Sequence, residues 1–319
     1  LWGCGGNMRP EFAADETRRY ATFVKAPAGT KILKVASGAN VDDYNWTETM
    51  MRVAGGNVDG LSLHYYTLPE GGWPPKADPD NFDEHGWADT LNEARRMDEL
   101  ITKHSAIMDK YDPEKKVFLA VDEWGSWYAQ DPGTHPGFLR QQNTLRDALI
   151  ASINLDIFAK HADRVRMTAI AQMVNVLQAM ILTDGNKMVL TPTYWVFDMY
   201  KPWQDATVLP IEIKSPWYSK DQFTMPAVSG SAVKAKDGKI HVGLSNLDPN
   251  QPNTVTIKLD GATAGAVTGK ILTAPAINSH NTFDAPGVVK PEAFSGAVVQ
   301  GGNLVVTLPA KSVVVLELQ

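Results

Sequence analysis

Two textures of hydrophobic patterning follow one another along this chain. Over residues 10–200, short apolar runs alternate with stretches whose apolar positions recur every three to four residues. The runs at 31–36, 59–66 (DGLSLHYY), 116–121 (KVFLAV) and, more weakly, 166–173 predict β-strands. The third is almost continuously apolar, as a strand covered on both faces must be. Residues 87–111 form the clearest helix: Leu91, Ala94, Met97, Ile101 and Met108 fall on one stripe. Asp112-Pro113 ends it, because the residue before a proline is driven out of the helical region. Residues 144–161 predict a second helix, and 18–24 the close of a third. Strands and helices alternating at this spacing predict a parallel sheet, either doubly wound or a (β/α)₈ barrel.

After about residue 201 the period changes to that of strands alone. Residues 232–236, 239–246, 254–259, 269–273, 303–308 and 312–318 are short strands set between Gly, Pro and Asn turns. Lys236-Asp237-Gly238-Lys239 predicts a hairpin, with Asp-Gly at its centre. The pattern divides the chain into an α/β part, residues 1–200, and an all-β domain of sandwich type, residues 201–319. Four βα units are half of the eight that a closed barrel requires. The chain also opens on Leu1-Trp2-Gly3-Cys4-Gly5-Gly6, with no methionine and no lead-in element. The expectation is that the first half of the barrel lies upstream of Leu1.

Composition narrows the chemistry. The net charge of −6 argues against nucleic acid or an anionic membrane as the main partner, while neutral sugars suit it. No apolar run is long enough to span a bilayer. One cysteine, Cys4, allows no disulfide within the chain and is consistent with the cytoplasm. There is no Cys/His cluster with metal-ligand spacing and no Gly-rich phosphate loop; Gly3, Gly5 and Gly6 lack the nucleotide-loop pattern. No metal and no organic cofactor is expected.

The strongest local signal is Val121-Asp122-Glu123-Trp124-Gly125-Ser126-Trp127, an apolar strand ending in two carboxylates and a Trp- and Gly-containing loop. Parallel α/β folds place their sites beyond the carboxyl ends of strands. Either carboxylate there can be a nucleophile or an acid/base, or it can cap the next segment or pair with a barrel arginine. His64 and Tyr66 end the preceding strand on one side of it; from the pattern, catalytic and structural roles fit them equally. Gln172 and Asn175 lie near the end of the last strand, where amides commonly satisfy backbone groups. Asp15/Glu16 and Asp42/Asp43 read as helix-surface and loop charge. His104 and His161 sit late in helices, where a positive tendency suits the macrodipole.

Seven segments in order then carry a resemblance: WGCGGNMRPE (2–11), GANVDDYNWTE (38–48), DGLSLHYY (59–66), RRMDELITKHSAIMDKYDP (95–113), VDEWGSWY (121–128), PGFLRQQNTLRDAL (136–149) and VNVLQAMILT (174–183). Together they resemble the family 51 α-L-arabinofuranosidases, over the whole chain. The resemblance implies the C-terminal half of a (β/α)₈ TIM barrel followed by a jelly-roll-like β-sandwich. It implies that Glu123, at the end of the seventh barrel strand, is the nucleophile of a retaining hydrolase. His64 and Tyr66 match sixth-strand residues that contact the sugar or the catalytic carboxylates, Trp127 an aromatic of the subsite, and Gln172 an amide near the nucleophile. The family's acid/base glutamate would fall immediately before Leu1; Glu11 and Glu16, downstream on a helix, are poor substitutes. The implied activity is exo-release of α-L-arabinofuranosyl groups from oligosaccharides of hemicellulose or pectin. Its rivals are a related endoglucanase or β-xylosidase activity, a catalytically incomplete carbohydrate-binding fragment, or a fragment completed by an upstream barrel segment. A homo-oligomer, commonly a hexamer, and a cytoplasmic location are implied by the resemblance as well.

Overall fold

The computed structural model describes residues 7–258 and 266–318. Cys4 with the rest of the opening segment, and Leu259 at the end of the strand expected over 254–259, lie outside the described residues. The chain divides into two compact units. The first comprises Leu1–Tyr66, Arg96–Trp124 and His161–Ile170; the second comprises Thr67–Arg95, Gly125–Lys160 and Ala171–Gln319.

The first unit is built on a four-stranded parallel sheet whose strands lie in chain order: β1 (Val35–Asn40), β2 (Gly60–Thr67), β3 (Phe118–Ser126) and β4 (Val165–Ile170). Helix α1 (Pro10–Phe23) precedes them and α2 (Tyr44–Ala54) follows β1; along the chain, α3 (Glu84–Tyr111) falls between β2 and β3, and α4 (Leu145–Lys160), which belongs to the second unit, between β3 and β4. This is the βα succession that the hydrophobic pattern predicts. Two strand positions are corrected. The first strand begins at Val35, not Lys31, because Lys34 is drawn into other bonds: its N–H donates to Asp59 Oδ2 at 2.8 Å and its Nζ to the Ala21 carbonyl at 2.8 Å. The strand that does form, VASGAN, is interrupted by Gly38, where a Cβ would lie 1.5 Å from the Ser62 carbonyl oxygen. Only glycine lets β1 approach β2 this closely, and a glycine inside the run hides the strand from a hydrophobic reading. The fourth strand ends at Ile170 rather than Met173.

Helix α2 is absent from the pattern-based reading, and its start explains an acidic pair taken for loop charge. The Asp43 carboxylate accepts from the Trp46 N–H at 3.0 Å, capping the helix, while Asp42 pairs with Arg96 at 2.8 Å. Asp15 and Glu16 make the expected surface pairs, with Arg18 and Arg19. His104 departs from expectation. It is buried, contacts Thr47 Oγ1 and the Val41 carbonyl at 2.8 Å each, and burial pulls its pKa down, so no charge is offered to a helix end.

The second unit holds the β-sandwich. Its strands are β7 (Thr207–Leu209), β10 (Val228–Lys234), β11 (Ile240–Asn246), β12 (Asn253–Lys258), β13 (Val267–Leu272), β14 (Glu292–Ala293), β15 (Ala297–Gln300), β16 (Asn303–Leu308) and β17 (Ser312–Leu318). A six-stranded sheet runs β14-β13-β17-β11-β10-β7 and a three-stranded sheet runs β12-β16-β15. Val242, Leu244, Val314 and Leu316 of the larger sheet share one core with Val255, Leu304 and Val306 of the smaller. Alternate residues therefore point inward, as in any sandwich. The predicted Asp-Gly turn joins β10 to β11, with Gly238 at φ 86°. Helix α4 packs on the outer face of the larger sheet and is buried almost all round. Two small hairpins, β5 (Ile181–Asp184) with β6 (Lys187–Leu190) and β8 (Trp217–Lys220) with β9 (Phe223–Pro226), complete the unit with helix α5 (Pro192–Met199).

Candidate active site

Ser62, His64 and Tyr66 occupy alternate positions of β2 and therefore share one face of it. Asp122 and Glu123 are consecutive on β3, and in a regular strand they would point to opposite faces. The pairing with β4 shows why they do not. Val121 sits opposite Thr168 and Trp124 opposite Ile170, so three steps on β3 match two on β4. The extra residue is a β-bulge at the two carboxylates, which bends the strand and re-aims a side chain.

Both carboxylates consequently face the same residues of β2. His64 Nδ1 lies 3.1 Å from Glu123 Oε2, and its Nε2 lies 3.3 Å from Asp122 Oδ1. Ser62 Oγ donates to Asp122 Oδ1 at 2.5 Å, and the Tyr66 hydroxyl donates to Glu123 Oε1 at 2.5 Å. A carboxylate only accepts, so an imidazole that satisfies one on each nitrogen must carry both protons. Burial pulls the His64 pKa down, but its hydrogen bond to Asp122 and the charges of Glu123 and Asp122 outweigh this and raise it. Burial likewise pushes Asp122 up, while hydrogen bonds from His64 and Ser62 bring it below the usual carboxylate range. Tyr66 is raised by burial and by Glu123, so it stays a protonated donor. The chemical sense is clear. Asp122 is locked as an ionised partner of His64 and is unfit to donate a proton, whereas both oxygens of Glu123 are gripped by donors.

The other predicted residues lie in the second unit. Trp127 is half-buried; its N–H donates to the Thr67 carbonyl at 3.1 Å, and its ring meets Trp73 edge-on at 4.8 Å. Gln172 is exposed, directly after β4, and follows a cis peptide bond. Pattern reading missed a second amide, Gln178, which is fully buried. It accepts from the Ser126 N–H at 2.8 Å and donates to the Asp147 carbonyl at 2.8 Å and to Thr193 Oγ1 at 3.1 Å. It thereby fixes the chain just beyond Glu123. Ser62 was missed too, although its place two residues before His64 puts it on the same face. Among the described residues no three His, Cys, Asp or Glu side chains gather as a metal site.

The His64–Asp122 pair makes stability depend on pH with a definite sign. A raised imidazole contributes fully below its ordinary value of 6.5, and the contribution is lost as pH rises through the higher folded value. A depressed carboxylate contributes above its ordinary value of 3.8, and that is lost as pH falls through the lower folded value. The melting-temperature gap between the wild type and Asp122→Asn is therefore expected to be widest at about pH 5. It should narrow on the alkaline side. A gap that stays constant from about pH 4 to 9 contradicts the pair.

Comparison with known proteins bears on the chain as a whole. The family model for the α-L-arabinofuranosidase C-terminal domain matches residues 122–312. An intracellular exo-α-L-arabinofuranosidase of Bacteroides ovatus is 49% identical over 322 residues, covering 100% of this chain and 62% of the relative. The crystal structure of the GH51 arabinofuranosidase from Xanthomonas axonopodis pv. citri superposes with a TM-score of 0.98 at 63% identity, covering 100% of this chain and 64% of that one. A family 51 α-L-arabinofuranosidase from Bifidobacterium longum gives a TM-score of 0.82 at 25% identity, covering 98% and 64%. The chain thus spans somewhat under two thirds of the length of the relatives it matches. The ordered motifs, the partial barrel with its sandwich, and these matches agree: the chain belongs to the family 51 α-L-arabinofuranosidases.

Proposed function

We propose that the chain carries the nucleophile half of a retaining exo-α-L-arabinofuranosidase, with Glu123 as the attacking carboxylate. The observation that supports this most directly is the grip on Glu123: Tyr66 donates to one carboxylate oxygen and His64 faces the other. In this reading an oxygen of Glu123 attacks the anomeric carbon of the arabinofuranosyl group while the glycosidic C–O bond breaks. A second carboxyl group protonates the departing oxygen, then takes a proton from the water that cleaves the arabinosyl ester, releasing the sugar with retention. Retaining enzymes hold the two carboxyl groups about 5–5.5 Å apart. Asp122 is the wrong group for this role because it is held ionised, and the glutamate expected upstream of Leu1 fills it. His64 and Tyr66 orient the nucleophile, Trp127 shapes the subsite wall, and Gln172 contributes a hydrogen-bonding amide.

The substrates in this reading are arabinose-decorated oligosaccharides derived from hemicellulose or pectin. The catalytic barrel extends through residues 1–200 and is completed by an upstream segment, with the sandwich at 201–319. The relative from Bacteroides ovatus is named intracellular, and a cytoplasmic homo-oligomer is proposed here. Among the described residues no helix is long and apolar enough to cross a membrane.

The test is mechanism-based labelling of the full-length protein with an arabinofuranose-configured aziridine, followed by peptide mapping. A single adduct on Glu123 is expected, with none from the xylose-configured analogue. An adduct on another residue, or equal labelling by the xylose analogue, removes the assignment.

A further inference from the structure

The outer face of the six-stranded sheet carries a groove of about 590 Å³ beside the end of α5. Three neighbouring strands give its floor, with His241 on β11, Glu317 on β17, and Thr268 and Lys270 on β13. Met199, Lys201 and Pro202, where α5 passes into a short 3₁₀ turn, give its wall. That wall is held firmly. Tyr200 sits over Gly243, where a Cβ would come within 2.5 Å of the phenolic oxygen. The Tyr200 and Trp203 rings meet at a tilt of 33° with centroids 4.4 Å apart, and Trp203 Nε1 donates to Ser231 Oγ at 2.9 Å.

His241 is the informative residue. It is only 5% exposed and lines the groove beside the Trp203 ring. The imidazole lines the groove, so its two polar nitrogens are the groups a ligand lying there would meet. Burial pulls its pKa down, against the opposing pull of Glu317 and Asp237, so near neutral pH the ring offers one donor and one acceptor. Around it, Glu317 pairs with Lys239 at 2.7 Å, and Lys201 pairs with Asp198 at 2.6 Å.

The charges lining the groove cancel: Asp198 and Glu317 against Lys201 and Lys270. A site for phosphate, sulfate or a metal cation would carry an excess of one sign. Balanced donors and acceptors beside the apolar surfaces of Met199, Pro202 and Val315 suit a neutral polyhydroxylated chain instead. The size also falls within the range of about 300–1,000 Å³ typical of ligand sites. We propose that this groove is a non-catalytic binding site for a neutral pentose oligosaccharide, with His241 as its central hydrogen-bonding residue. The identity of the sugar rests on the arabinofuranosidase reading; the groove itself does not.

Affinity electrophoresis of the full-length protein through gels containing debranched arabinan tests this, with the active site first treated with the aziridine. Wild type should be retarded. His241→Phe should weaken the apparent affinity tenfold or more, and Lys270→Glu, which unbalances the rim from an exposed position, at least threefold. Both variants should keep wild-type hydrolysis of an aryl arabinofuranoside. If His241→Phe melts early, the decision passes to Lys270→Glu. Equal retardation of wild type and Lys270→Glu, no retardation of wild type, or retardation by dextran sulfate alone each overturns the proposal. Retardation that falls in the variants of a protein whose Glu123 does not label supports the groove and removes only the arabinofuranosidase reading.

Discussion

Replacing Glu123 by glycine is expected to lower kcat on an aryl arabinofuranoside by about 10⁴-fold or more, because removing a nucleophile abolishes the covalent route rather than weakening it. Tyr66 and His64, which hold the two oxygens of Glu123, cannot substitute for it, since neither can form the glycosyl ester with the same geometry. The space left by the deleted carboxylate gives the sharper readout. Added azide should enter it, attack the anomeric carbon once, and yield an arabinofuranosyl azide of inverted configuration. In the proposed mechanism the acid/base carboxyl still protonates the leaving oxygen, so activity should partly return with azide. A retained azide product would mean that azide had replaced the attacking water, which assigns Glu123 to the acid/base step and reverses the roles proposed here. Asp122→Asn separates the neighbours: it should leave azide rescue absent and reduce activity through the loosened His64.

Much of this site is legible in the sequence because it depends on strand periodicity alone. His64 and Tyr66 share a face of β2 by counting residues, and Glu123 ends an apolar run that has to be a buried strand. What escapes is whatever depends on a partner strand. The bulge that brings Asp122 and Glu123 to one side exists only in the register between β3 and β4. The first strand is misplaced because Gly38, needed for close approach to Ser62, dilutes its hydrophobic signal. Gln172 and Gln178 are the same side chain six positions apart. The first is exposed and the second is a buried bracket behind Ser126, a difference fixed by the fold beyond β4 and not by local pattern. The groove around His241 gathers residues from three strands and the end of α5, so no single stretch of sequence could announce it.

The largest stability loss is expected away from the carboxylates, at Arg164. Its side chain is 1% exposed, in the turn that leads into β4. The guanidinium donates to Asp112 Oδ2 at 2.9 Å, to the Val117 carbonyl at 2.8 Å and to the Asp112 carbonyl at 3.0 Å, and pairs with Asp109. Asp112 in turn accepts from the Val117 N–H at 2.7 Å. Burial pushes the Asp112 carboxyl up, but these backbone bonds and Arg164 outweigh it and hold it low. One planar fork thus ties the end of α3 to the starts of β3 and β4, the strands that frame the bulge. Arg164→Met keeps the apolar stem and removes the charge and all the donors, leaving two carboxylates and two carbonyls without this partner. Breaking a buried pair from one side costs about 3–5 kcal/mol, which lowers the melting temperature by roughly 10 °C in a protein of this size. Arg164→Lys should fall between the two, since a point charge can serve Asp112 but cannot span both carbonyls. Chemical denaturation of the three proteins ranks them, and equal midpoints for wild type and Arg164→Met would show that the network adds nothing. The folded fraction of Arg164→Met should still take the aziridine on Glu123, because Arg164 holds the strands and touches neither His64 nor Tyr66.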